Sequence, residues 1–201
     1  DEAGRAVPAQ AIEARSLTRQ AGLLLDLAVP RRGRRLLTLV ETPEGAPAAA
    51  GDLRVEPHAL ANADVRVGAA ADFGPEALCC LLGRDAQPWG FDWRVRLDVL
   101  DDPSDTWSHS VGNTYAAAPA GAFRWDRPGE LVERGPLRGA LRLAGRFGAS
   151  RAWCRLMVCR GRPGVHVLLR VTWAQPRQML RLRLESARTI ERRVDLVSGG
   201  P

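Results

Sequence analysis

The densest chemistry in the chain lies in Asp101-Asp102-Pro103-Ser104-Asp105-Thr106-Trp107-Ser108-His109-Ser110, which brings three carboxylates, an imidazole, an indole and several hydroxyls within ten residues. Two carboxylates on one loop could perform acid/base work on a glycosidic bond, at a separation of about 5–5.5 Å for retention or about 6.5–9.5 Å for inversion. Asp and His together could also hold a metal. The structural alternative is a tight turn: Asp-Pro-Ser-Asp lets Asp and Ser side chains bond nearby backbone N–H groups. Trp107 would then plug the core, with its N–H bonded locally. Asp102, Asp105, Trp107 and His109 are the substrate-facing candidates. Ser108 beside His109 is not a triad signature, because adjacency in sequence does not set nucleophile–base geometry.

Six Trp accompany a single Tyr. Trp93 and Trp173 follow strand periodicity and are expected in the core. Trp89 and Trp125 lie beside Gly or Arg in irregular segments and are the expected surface indoles, so Trp125 joins the candidates for stacking a sugar. The glycines form no phosphate-cradling pattern, which excludes a nucleotide loop.

The elements that must position these residues are strands. Trp93, Val95, Leu97 and Val99 alternate with Arg94, Arg96 and Asp98, the period of a half-buried strand that leads into the Asp101 segment. Ala77–Leu82 is a short buried run, and 53–67 holds two short strands broken at Asn62. The last third reads as four strands, 137–147, 152–159, 165–173 and 180–185, with short Gly-containing turns. They predict an antiparallel meander, apolar on one face and polar on the other. Such a sheet must cover its apolar face with a second sheet, so the expected fold is all-β, an antiparallel β-sandwich. Residues 22–29 and 35–40 flank Arg31-Arg32-Gly33-Arg34-Arg35 and are expected to form a hairpin around a solvated turn. The Pro/Ala/Gly-rich stretch 42–51 divides a small N-terminal β subdomain or pair of opening strands, 1–45, from a main domain, 52–201.

With 201 residues, 45% apolar and 26% charged, the composition is that of a folded chain. No apolar window is long enough to span a membrane as a helix. The net charge is +6 and all 29 basic residues are Arg. The arginines are scattered over strand-like segments with no aromatic platform beside them, so no nucleic-acid partner is expected. Cys79, Cys80, Cys154 and Cys159 show no zinc spacing and are expected as buried thiols, which suits a reducing, cytoplasmic compartment.

Asp101–His109 resembles the D-x-S-D-T-W-x-H signature in the β-rich part of the α-mannosidases of glycoside hydrolase family 38. Other segments are similar in the same order: Asp1–Gln10 to "D-x-x-G-x-x-V-P-x-Q", Leu60-Ala61-Asn62 with Val65-Arg66-Val67 to the next strand pair, Glu133–Arg138 to "E-x-G-P-L-R", and Val171-Thr172-Trp173 with Leu180-Arg181-Leu182 to "V-D-W … L-K-L". The resemblance implies a galactose-mutarotase-like supersandwich. It also implies a division of labour, in which an α/β barrel elsewhere in the polypeptide carries the nucleophile, the acid/base and a divalent metal, zinc. On this reading no residue of this chain is catalytic and no cofactor is held by it. Its partners are that barrel, a helical bundle and mannose-containing glycans, and the parent cleaves α-mannosides with retention. The alternative is a free-standing carbohydrate-binding module, and a third reading is a purely structural scaffold.

Overall fold

The structure, a computed structural model, describes residues 6–12, 22–38, 51–69, 74–83, 92–102, 117–126 and 128–186. Their strands are β1 (Ala9–Ile12), β2 (Gly22–Leu25), β3 (Arg54–Glu56), β4 (Ala59–Ala61), β5 (Val65–Gly68), β6 (Ala77–Gly83), β7 (Asp92–Asp101), β8 (Pro119–Ala122), β9 (Arg124–Trp125), β10 (Glu130–Arg134), β11 (Arg138–Phe147), β12 (Ser150–Cys159), β13 (His166–Thr172) and β14 (Gln178–Ser186). Among the described residues there is no helix, so none is long and apolar enough to cross a membrane.

Every pairing is antiparallel. The larger sheet runs β14-β7-β6-β5-β4-β3, with β8 also on β7; the smaller runs β10-β11-β12-β13, with β9 also on β11. Period two explains how they stack. On β12, Ala152, Cys154, Leu156 and Val158 are buried while Arg151 and Trp153 are exposed. On β7, Val95, Leu97 and Val99 are buried. The two inner faces meet in one cluster that also takes in Leu60, Val67, Leu141, Leu143 and Phe123. Each fully buried Leu or Val in it contributes about 1.5–3 kcal/mol. The sandwich is thus a single core between two antiparallel layers, as the alternation predicts.

Three expectations change. The fourth strand of the meander, β14, does not pair with β13; it crosses to the larger sheet and lies along the whole of β7, from Gln178 opposite Asp101 to Ser186 opposite Trp93. Alternation fixes which face a residue takes, not which strand lies beside it. Among the described residues, 22–29 and 35–38 do not form the hairpin expected of 22–29 with 35–40. β2 pairs with β1, and 33–38 is not a strand, although the arginine segment does turn in solvent, with Gly33 N–H donating to Pro30 O at 2.9 Å. Finally, β8, β9 and β10 lie in or just after 101–129, a stretch that its Gly, Pro, Asn and Ser punctuation marks as irregular. They are short strands containing Pro119 and Gly121, residues tolerated beside a sheet edge.

Side chains tie distant segments together. Gln10, 6% exposed, accepts from Leu137 N and Arg138 N at 3.0 and 2.7 Å and donates to Arg138 O at 2.8 Å, which anchors β1 to the start of β11. Asn62 Oδ1 accepts from Asp64 N and Val65 N, while its Nδ2 donates to Cys159 O and Arg162 O, joining the two sheets at one end. Asp52 accepts from Ala63 N at 2.9 Å and Gly161 N at 3.0 Å beside it. The Ala63 N–H bond above all, with those of Gly161 and the charge of Arg160, holds the Asp52 carboxyl below its ordinary value, against a smaller opposing effect of burial.

Candidate functional site

The signature segment begins at Asp101 and Asp102, where β7 ends. Asp101 N–H donates to Ala118 O at 2.9 Å, so the chain departs from β7 and returns to β8 at nearly the same point. Asp102 is half-buried at this base, and its N–H donates to Arg177 O at 2.8 Å, in the connection from β13 to β14. Gln178 Nε2 reaches Asp101 Oδ1 at 3.5 Å. Two inter-strand connections are therefore bonded together at one end of the sandwich, and the segment that follows Asp102 starts from a fixed base. Asp105, Trp107 and His109 lie outside the described residues, as does Trp89.

Trp125 is not a surface indole. It sits on β9 at 3% exposure, with Phe123 at a ring-centroid distance of 6.2 Å. Its ring lies against Gly145 of β11, where an added Cβ would come within 2.6 Å of Cε3. Phe123 and Trp125 are two apart and both buried, a strand period that Arg124 and Asp126 obscure. This indole cannot stack a sugar. Trp173 and Trp93, expected in the core, are half-buried; Trp173 packs on the core and stacks with Phe123 at 6.4 Å.

Among the described residues the exposed indole is Trp153, at 51%. Its neighbours on β12 point inward, so alternation alone sends it to the outer face of the smaller sheet. The contrast of Ala152, Cys154, Leu156 and Val158 with Trp153 was visible in the sequence as a signal.

On the outer face of the larger sheet, Asp98 is 4% exposed and faces three guanidiniums: Arg96 at 3.4 Å, Arg183 at 3.5 Å and Arg181 at 3.6 Å. Glu76 pairs with Arg96 at 2.9 Å and Glu185 with Arg183 at 3.1 Å. Farther along this face a cleft of about 390 Å³ is lined by Glu56, His58, Ala59, Arg66, Cys80 and Leu82. Glu56 pairs with Arg66 at 3.0 Å at its rim, and His58 Nδ1 lies 3.3 Å from Gly129 O. The cleft is mostly apolar and brings no pair of carboxylates together.

The four cysteines are unbridged thiols; Cys79, Cys80 and Cys154 are buried and Cys159 is half-buried. Burial pushes the Cys154 thiol up to about 12, which leaves it un-ionised and a poor nucleophile. Among the described residues no group of three or more His, Cys, Asp or Glu is placed to hold a metal ion. Comparison of the chain with models of known families, with curated proteins and with solved structures found no match.

Proposed function

We propose that the chain is the non-catalytic β-sandwich portion of an α-mannosidase-like glycoside hydrolase, of the mutarotase-like supersandwich kind, packing on a barrel and a helical bundle of the same polypeptide. The observation that carries this reading is an unfinished apolar edge. Val167 on β13 and Leu182 and Leu184 on β14 occupy inward-facing register positions, opposite buried Leu156, Leu97 and Val95. They are nevertheless 44%, 55% and 53% exposed. Inward-facing apolar side chains left open on the edge strand of each sheet are what a sandwich presents when another part of the assembly completes it. The ordered motifs from Asp1 to Leu182 support the same assignment, and the bonded base at Asp101 and Asp102 gives the signature segment a fixed origin from which to reach a neighbouring sugar pocket.

On this reading the nucleophile, the acid/base and the zinc belong to the barrel. The chemistry there is retaining cleavage of α-mannosides in the cytoplasm, and this chain supplies packing and a wall of the pocket.

Two measurements test it. The 201-residue chain alone is expected to leave an aryl α-mannoside intact; turnover that copurifies with the chain overturns the reading. In a barrel-containing parent, Asp105→Asn and His109→Ala are expected to lower kcat at unchanged Tm. A lowered Tm with unchanged kinetics makes the segment a turn and removes it from the pocket.

A further inference from the structure

The arginines of the smaller sheet are not scattered. Register sets them in rows across its outer face. One row runs Arg124 on β9, Arg146 on β11 and Arg151 on β12, each directly opposite the next. The adjoining row runs Ala144, Trp153 and Arg170. Beyond Trp153 on the other side lie Arg142 and Arg155, likewise opposite one another.

Like charges directly opposite on neighbouring strands repel, and the Arg124–Arg146–Arg151 row repeats that penalty across three strands. The described acids do not relieve it. Glu130 pairs with Arg142 at 2.7 Å and Glu133 with Arg155 at 3.4 Å, both from β10 at the far edge. Arg151 is held by the carbonyls of Gly148 and Ser150. Arg124, Arg146 and Arg170 are exposed and have no ion pair among the described residues. A half-exposed indole therefore lies on the outer face of this sheet beside a small alanine, and no described carboxylate neutralises Arg124, Arg146 or Arg170 on the same face.

We propose that this face binds an acidic glycan, with one pyranose ring on Trp153 and the carboxylates of uronate residues on Arg146, Arg151 and Arg170. The guanidinium fork matches a planar carboxylate with two parallel hydrogen bonds. Neighbouring strands stand about 4.7–4.9 Å apart, so the arginine row repeats at roughly the length of a sugar residue. Ala144 leaves the space beside the indole open for a ring to lie flat. Among the described residues this face carries a single indole, which favours the glycan over single-stranded nucleic acid, held by successive bases stacked on several aromatic side chains. The inference rests on this sheet face alone and stands whether or not the mannosidase reading does.

The test is calorimetric titration of the 201-residue chain with a hexamer of β-1,4-linked mannuronate, with neutral mannohexaose, and with a single-stranded oligothymidine of matching charge. Saturable binding of the uronate hexamer alone is expected, weakening as salt rises. Trp153→Ala and, separately, Arg170→Ser are each expected to weaken it by about tenfold or more. Both side chains are exposed, so both variants are expected to keep the parent Tm, which separates lost recognition from lost folding. Absence of uronate binding, equal binding of mannohexaose, undiminished binding by the folded Trp153→Ala variant, or tighter binding of oligothymidine each overturns the proposal.

Discussion

Both sheets turn an arginine-rich face outward, and they handle it in opposite ways. On the larger sheet the charge is closed upon itself: Arg96, Arg181 and Arg183 converge on buried Asp98, with Glu76 and Glu185 at the sides. On the smaller sheet the acids stand at the β10 edge, and Arg124, Arg146 and Arg170 face solvent around an indole. The two faces share a composition and differ in where their carboxylates sit. A residue count cannot distinguish a self-neutralised cover from a surface prepared for an anion; the cross-strand register can.

The contrast sharpens through four substitutions, taken from the largest effect to the smallest. Trp125→Ala, which empties a buried indole site on the inner face, is expected to cost about 3–5 kcal/mol in chemical denaturation. A cost near zero would return Trp125 to the surface. Asp98→Asn removes the charge that gathers three arginines. The expected cost is about 2 kcal/mol, below that of a fully buried pair, because Arg181 and Arg183 keep much of their solvent. An unchanged or raised Tm would show that the larger face, too, bears surplus charge at no cost. Asp52→Asn is expected to lower Tm near neutrality. Because the folded carboxyl is held below 3.8, its contribution is present above that value and is lost as pH falls through the lower folded value, so the variant and the parent should converge in acid. A Tm gap that persists in acid would assign the effect to geometry rather than charge. Trp153→Ala is expected to shift stability by less than about 0.5 kcal/mol, as for other exposed positions. A large loss would make Trp153 a packing residue and merge the two faces into one kind.

Legibility in the sequence followed the strength of the period. β7, β11, β12 and β13 could be read because long runs alternate, and the inner-face residues Val95, Leu97, Cys154 and Leu156 fall where that alternation puts them. β14 was legible as a strand but not as a neighbour of β7, since Leu180, Leu182 and Leu184 would alternate identically in either sheet. The pairing of β2 with β1 could not be read from Ala9–Ile12, four residues with little pattern of their own. β8 to β10 were hidden by Pro, Gly and short length, and with them went the burial of Trp125. Of the site, the base at Asp101 and Asp102 was legible, as the end of an alternating strand. The Trp153 face was not, because its arginines come from β9, β11, β12 and β13 and meet only once register is known.

Gln10 makes its three backbone hydrogen bonds to residues that follow it by 127 and 128 positions. Until that distant partner has left the ribosome, the first strand can pair only with β2. Most strand pairs join neighbours in sequence, as β11 with β12 and β6 with β7 do, so this contact stands out as a long closure, and long closures are slow. During that interval β1 and β2 are two short exposed strands, and the nascent chain is at its most vulnerable to proteases and to pairing with another copy.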